Sequence, residues 1–309
     1  MSRLTVAFST FRESRFSWVK QLLISLQNQT FGDFKVLLIV NHDRKYFNRL
    51  VNEIGDWKEL TFEVNVVFNP DNLGIAHDRN IALKNANTPL IAFTDDDAFP
   101  HKDWLRMIND TFETYNSAGA VTGPILANWS PDSIGSKSWF PKELYWIIGC
   151  NHREYQSVQE VRNGFASNLA LDREISLSCG GFDETFGYNQ KYRMAGEEPE
   201  LSMKLKKMNK LTLWNPQVIV YHRVTASRLK LKDILIRSYV EGRTKVYLER
   251  AFGVGTLAPE KEHLIVVTKA LLNNSSVKCK IYLATSTSAV AIGYSLTKAK
   301  VHLKKIVGR

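Results

Sequence analysis

Short apolar runs alternate with segments of helical character through the first hundred residues. Residues 4–8, 36–40, 62–68 and 90–93 form apolar stretches of strand length, and 16–26, 46–54 and 75–86 between them carry apolar positions at helical spacing. This rhythm predicts βαβ units and a largely parallel sheet. Ligands of such sheets gather at the carboxyl ends of the strands. The polar residues after each run are therefore the first candidates for chemistry: Ser9-Thr10, Asn41-His42-Asp43, Asn69 to Asn72, and Asp95-Asp96-Asp97. Four strand ends are expected to face one crevice.

Beyond Asp97 the pattern loosens. It predicts a helix over 102–115, a strand over 120–127, and a long loop through Trp129, Pro131, Trp139, Pro141 and Trp146. A loop of this kind borders a binding surface or packs on its own aromatics, and both readings stand. A helix over 197–208, strands over 211–214 and 218–221, and a long basic helix over 231–250 follow. The expected organisation is an α/β core over 1–227, divided into halves 1–100 and 101–227, with a helical extension over 228–309.

Charge sharpens this division. The chain carries a formal net charge of +10, yet residues 228–309 hold sixteen basic and five acidic side chains while residues 1–227 are near neutral. A basic segment suits nucleic acid or an anionic membrane. Here its neighbours are apolar, at 264–267, 270–272 and 281–296, and no nucleic-acid recognition motif accompanies it. Neither apolar stretch reaches the roughly 20 residues of a spanning helix. A peripheral or monotopic segment lying on or dipping into a membrane is expected, with a buried amphipathic cap as the other reading. The N-terminus reads without a signal peptide, because Arg12, Glu13 and Arg15 follow a short apolar run at once. Cys150, Cys179 and Cys279 show no metal-ligand spacing and suggest a reducing compartment.

Two acidic clusters carry the candidate chemistry. Three adjacent carboxylates behind a buried strand are costly to hold together unless positive charge joins them. A divalent metal bridging nucleotide phosphates meets that need, and an acidic cap for the following helix is the alternative. Glu197-Glu198-Pro199-Glu200 places acids where a helix begins, with proline in its first turn. Such acids complement the helix dipole whether or not they do chemistry.

Taken in order along residues 3–225, these motifs resemble the GT-A glycosyltransferases of family 2. Val6 to Arg12 looks like the family's opening strand and nucleotide loop. Asn41-His42 stands where the family usually has an aspartate against the base. Asn72-Leu73-Gly74 with Asp78-Arg79-Asn80 is similar to the segment facing diphosphate and metal, and Asp95-Asp96-Asp97 matches the Asp-x-Asp motif. The resemblance implies a GT-A fold with Thr10, Phe11, Arg12, Asn41, Asn72, Gly74, Arg79, Asn80, Asp95 and Asp96 around the nucleotide-sugar. It implies Asp97, Asp95 and His222 around Mn2+ or Mg2+. Gly164 to Ala170 and Gly180 to Glu184 look like the acceptor side. Glu197-Glu198 stands where the family has its catalytic base, with Glu198 expected as base and Glu197 as positioning residue.

The implied reaction is an inverting single displacement from a nucleotide-diphosphate sugar, UDP-linked by preference. A phosphate acceptor is already ionised and needs no base, whereas a sugar hydroxyl does. Transfer to a lipid-linked sugar at the cytoplasmic face of a membrane is therefore expected, with Trp146, Gly164, Ser167, Asn168 and Arg243 toward the acceptor. The stretches 139–150 and 238–245 look like segments of archaeal enzymes that extend dolichyl-phosphate-linked hexose. Alternatives are a polyprenyl-phosphate glycosyltransferase and an exopolysaccharide or rhamnosyl-type transferase. A sugar-1-phosphate nucleotidyltransferase would need a Gly-rich Lys-bearing loop that Ser9 to Ser14 lacks.

Overall fold

The computed structural model describes residues 2–151, 155–187 and 194–307. The chain runs through β1 (Leu4–Thr10), α1 (Phe16–Gln27), β2 (Phe34–Asn41), α2 (Arg44–Gly55), β3 (Val64–Asn69), α3 (Ile75–Asn85) and β4 (Leu90–Phe93). This is the alternation that the apolar pattern predicts. It continues with β5 (Ala98–Pro100), α4 (Trp104–Thr114), β6 (Ala118–Thr122), β7 (Ile125–Trp129), β8 (Gln159–Val161), β9 (Leu169–Asp172), α5 (Arg173–Ser178) and α6 (Glu197–Lys207). Strands β10 (Leu211–Trp214) and β11 (Val220–Val224) precede three helices, α7 (Leu231–Phe252), α8 (Ala258–Asn273) and α9 (Val277–Val307).

Two compact units form. The first comprises Met1–Leu126, Arg153–Tyr192 and Glu197–His222, and the second Ala127–His152, Arg193–Gly196 and Arg223–Arg309. In the first unit the main sheet has the order β3-β2-β1-β4-β9-β6-β10-β8. β1 pairs parallel with β2 and β4, and β2 with β3, so four neighbouring strands end on the same edge. β9 runs antiparallel between β4 and β6. Alternate residues of each strand face opposite sides, which separates two cores. Val6, Phe8, Leu38 and Ala92 pack with Leu22 and Leu26 of α1, Leu50 of α2 and Trp104 of α4. Ala7, Ile39, Ile91 and Phe93 pack with Leu83 of α3 and Leu201 and Leu205 of α6. Each fully buried leucine contributes roughly 1.5–3 kcal/mol by leaving water. The near-continuous apolar strands follow from burial on both faces.

Sequence and structure part company at particular turns. The strand expected over 120–127 is two strands, because Gly123-Pro124 breaks it and proline has no N–H for a ladder. The strand expected over 218–221 starts two residues later, since Val218 N–H donates to Asn215 O and closes a turn there. The core boundary read at 227 falls after His222, and residues 127–152 group with the C-terminal helices. The cause is apolar packing within the second unit: Phe140, Leu144, Ile147 and Ile148 form one cluster with Leu229, Ile234, Val267, Cys279 and Leu283. Trp139 packs edge-on against Tyr282 with centroids 5.1 Å apart, and Lys278 sits 3.6 Å over the Trp139 ring.

In that unit α7 and α9 cross at glycines. A Cβ on Gly242 would lie 2.0 Å from Val290 O, and one on Gly293 would lie 2.2 Å from Tyr239 O. Glycine inside a helix costs roughly 0.5–1 kcal/mol, and here it permits backbone-to-backbone approach. Ser238 and Ser286 hydroxyls meet at 2.8 Å beside the crossing. No helix among the described residues is long and apolar enough to cross a membrane.

Candidate active site

Strand ends supply the first part of the site. Thr10 closes β1 and donates its hydroxyl to Asp96 Oδ2 at 2.7 Å, and Arg15 pairs with the other oxygen of the same carboxylate. Arg15 Nη2 also lies 3.8 Å from Asp97 Oδ2. Burial pushes the Asp96 carboxyl up to about 7, against the pull of Arg15 and with the push of Asp97. Asp96 thus turns toward β1 and Arg15, while Asp95 and the other oxygen of Asp97 face His222. His222 Nε2 sits 3.3 Å from Asp97 Oδ1 and 3.9 Å from Asp95 Oδ2.

Backbone pairing brings these distant residues together. The Asp95 carbonyl closes the turn by accepting from Ala98 N–H, and β5 then pairs antiparallel with β11 so that His222 stands opposite Ala98. One ligand atom from each of Asp95, Asp97 and His222 lies within 4.8 Å of the others. Asp97 and His222 are buried, whereas the Asp95 side chain is 35% exposed and leaves one side open. His222 Nδ1 is buried without a partner among the described residues. Two carboxylates and an imidazole suit a hard or borderline divalent cation, so the donor set fits Mn2+ or Mg2+.

Acids at the start of α6 supply the second part. Arg79, buried on α3, donates from Nη1 to Glu197 Oε1 at 2.6 Å and lies 3.5 Å from Glu198 Oε1. Glu198 also accepts from the Ala166 backbone N–H at 3.1 Å. Burial first, and Glu197 second, push the Glu198 carboxyl up to about 8, while Arg79 and the Ala166 N–H pull it back. A base of raised pKa takes a proton more strongly once ionised. Arg79 also feels the Asp95 carboxylate, and both residues line a shallow cleft with Ser9, Asp78 and Thr94. The acid pair and the Asp cluster therefore border one edge of the sheet.

Other expected residues have different employment. Both Asn41 and Asn69 donate side-chain amides to Asp78, at 2.9 and 2.7 Å, tying the ends of β2 and β3 to α3. Burial raises the Asp78 carboxyl while those amides lower it. The Asn41 amide is thus spent on Asp78 rather than held toward a base. Asn80 donates to Phe182 O and Glu184 and accepts from Phe182 N–H, so it anchors that loop. Asn72, Phe11 and Arg12 are exposed, with the Arg12 guanidinium 4.4 Å over the Phe11 ring. Gly74 starts α3 with φ +105°, a conformation that favours glycine.

On the acceptor side, Asn168 is fully buried. Its amide accepts from Trp104 Nε1 and donates to Pro124 O and Val218 O. The side chain proposed for the acceptor is thus engaged within the fold through both its amide oxygen and its amide nitrogen. Gly164 packs where a Cβ would meet Thr122 at 2.7 Å, and Ser167 is buried with its carbonyl accepting from Thr94. Close packing explains that glycine. Trp146 and Arg243 belong to the second unit, each partly buried. Sequence reading missed Arg15 and named Asp78 only within its motif, with no role of its own. Asp78 carried a signal, as an acid in the first turn of a helix beside Arg79-Asn80.

Comparison with known proteins fits this geometry. The family model described as glycosyl transferase family 2 matches residues 5–181. The glucosyl-dolichyl phosphate glucuronosyltransferase of Haloferax volcanii is 25% identical over 305 residues, spanning 94% of this chain and 95% of its own. Among solved structures, mannosyltransferase PcManGT from Pyrobaculum calidifontis, in complex with GDP-Man and Mn2+, aligns with TM-score 0.60 and 16% identity over 98% of this chain and 80% of its own. GalNAc-T7 with UDP, GalNAc and Mn2+ aligns with TM-score 0.58 and 14% identity over 85% of this chain and 54% of its own. At these identities the structural likeness speaks for a GT-A fold.

Proposed function

As the chain belongs to glycosyltransferase family 2, we propose that this glycosyltransferase moves a sugar from a nucleotide-diphosphate donor to a hydroxyl of a lipid-linked sugar, with inversion at the anomeric carbon. Glu198 removes the proton of the acceptor hydroxyl, that oxygen attacks the anomeric carbon, and the nucleoside diphosphate departs with the bond electrons. Glu197 and Arg79 position the base: Arg79 offsets the charge of two adjacent buried acids and keeps Glu198 beside the Ala166 N–H. Asp95, Asp97 and His222 hold a divalent cation, Mn2+ or Mg2+, which when bound stabilises charge on the leaving diphosphate. Arg15 and Thr10 hold Asp96 away from His222 and so orient the turn.

The single observation that carries this reading is the largely buried Glu198 carboxyl, raised in pKa and fixed by a backbone N–H. A phosphate acceptor would have no use for such a base. Support for a lipid-linked sugar comes from the glucosyl-dolichyl phosphate transferase relative and from the basic, apolar second unit. Exposed Leu264, Ile265, Leu272 and Ile281 suit attachment to a membrane surface. A UDP-linked sugar is the preferred donor, as one fold neighbour holds UDP. The test is incubation with a panel of nucleotide sugars, a lipid-linked hexose and Mn2+, followed by product mass and anomeric configuration. An inverted glycosidic product on the lipid-linked hexose is expected; transfer to a bare lipid phosphate, or retained configuration, contradicts the proposal.

A further inference from the structure

The second unit contains a cleft of about 410 Å³ between α7 and α9, lined by none of the residues given a catalytic part above. Tyr239, Arg243, Tyr247 and Arg250 line it from α7, at the spacing that puts them along one helical face. Thr297 and Lys300 face them from α9, and among the described residues no acid joins the lining. Arg243, Arg250 and Lys300 form no ion pair among the described residues. The two acids on this stretch of α7 are already engaged, Glu241 by Lys245 and Glu249 by the Tyr294 hydroxyl at 2.6 Å and by Lys298. Three cations held in one concavity repel one another, so the arrangement favours a bound anion.

Arginine forks and tyrosine hydroxyls match the several acceptor oxygens of a phosphoryl group. A lipid phosphate carries about one negative charge when it is also esterified to a sugar and about −1.5 to −2 when it is not, so either form offsets part of the three cations. The ligand also meets an apolar surface. On α9, Ile292, Leu296 and Leu303 share a helical stripe with Lys300 and are 53, 50 and 58% exposed. A free anion has no use for that stripe, whereas a phosphate with a hydrocarbon chain covers it.

We propose that the α7–α9 cleft binds the phosphoryl group of a long-chain alcohol phosphate, with Arg243, Arg250 and Lys300 as its cationic partners and Ile292, Leu296 and Leu303 against the chain. The site is read from the cleft itself and rests on the proposed function only for the idea that this amphiphile is the acceptor carrier. Binding is therefore measured without turnover, so failure here and failure of the transferase reading are separate results.

The experiment is calorimetric titration of the full chain with farnesyl phosphate, farnesol and inorganic phosphate. Farnesyl phosphate is expected to bind at least about tenfold more tightly than either other probe, a preference worth about 1.4 kcal/mol. A variant combining Arg243→Gln, Arg250→Gln and Lys300→Gln is expected to lose at least that factor for farnesyl phosphate. Arg243→Lys with Arg250→Lys, which keeps the charge without the forks, should retain part of it. A control combining Lys230→Gln, Lys232→Gln and Lys269→Gln removes the same charge from exposed positions outside the cleft and should bind as the wild type does. Circular dichroism melting confirms that each variant is folded. Inorganic phosphate binding as tightly as farnesyl phosphate, an unchanged cleft variant, or an equal loss in the control each overturns the proposal.

Discussion

Arg79 on α3 holds Glu197 on α6 at 2.6 Å across 118 residues of sequence, and the same guanidinium nitrogen stands 3.5 Å from Glu198. One cation thus serves two buried acids. It cannot satisfy both fully, and Glu198 is the one left with a raised pKa.

Replacing Arg79 with Met leaves the acid pair buried without its counter-charge. Breaking a buried pair from one side costs about 3–5 kcal/mol. Arg79→Met should melt well below the wild type and lose at least about a hundredfold in kcat, by analogy with the loss of a positioned acid–base group. Thermal melting and steady-state kinetics check both. A variant with unchanged melting would show that Arg79 is not the structural partner of the pair.

The raised Glu198 carboxyl also gives stability a pH dependence. Between its ordinary value of 4.5 and about 8, the folded chain holds a proton that the unfolded chain releases. Stability from this group is fully present below 4.5 and is lost as pH rises through about 8. Glu198→Gln cannot ionise, so it should melt a few degrees above the wild type at alkaline pH and close to it at acid pH. Melting curves across pH read this directly; a difference that is constant with pH contradicts the assignment.

Much of this site was legible because its elements are local. The Asp triplet follows a four-residue apolar strand, Glu197 and Glu198 open a helix, and the four strand ends follow from the alternation of β1 through β4. What escaped sequence reading depends on long-range pairing. Arg15 meets Asp96 across 81 residues, and nothing in its own neighbourhood distinguishes it from Arg12. Asn168 looks like a ligand residue by its loop setting, yet Trp104, Pro124 and Val218 consume its amide. β9 is a four-residue strand inserted antiparallel between β4 and β6, too short for periodicity to mark its direction. The aromatic segment 127–152 reads as a loop of the core, and only its packing on Leu229 and Leu283 assigns it to the second unit.

Asn168 should therefore behave as a core residue. Asn168→Ala leaves the Trp104 indole N–H and two carbonyls without their partner. At about 1–3 kcal/mol for a buried group left unpaired, a loss of at least about 2 kcal/mol is expected in denaturant unfolding. Wild-type stability in that variant would show the amide to be expendable.

The α7–α9 crossing has no room for a methyl group. Gly293→Ala places a Cβ 2.2 Å from the Tyr239 carbonyl, which forces the helix backbones apart. Overpacking of this kind costs about 1–3 kcal/mol, against the roughly 1 kcal/mol that alanine ordinarily gains over glycine in a helix. A net loss should appear in unfolding followed by near-UV signals of the second unit. A stabilised variant would mean that the helices do not cross there.

His222 bears on the metal. With Asp95 and Asp97 it offers the donors expected of a divalent site, and His222→Gln removes the only nitrogen. Mn2+ binding in the presence of nucleoside diphosphate should weaken by at least about 10- to 100-fold, the cost already seen when a group that only supports a metal's ligand is lost. Calorimetry measures this; equal affinity in the two proteins would place the metal elsewhere.

The central claim is that Glu198 takes the proton of a sugar hydroxyl. Its most direct test is single-turnover transfer by Glu198→Gln, with donor binding measured on the same sample. The account predicts unchanged donor affinity and transfer slowed by about 10²–10⁴-fold, the range for a lost general base. Transfer at the wild-type rate would contradict it.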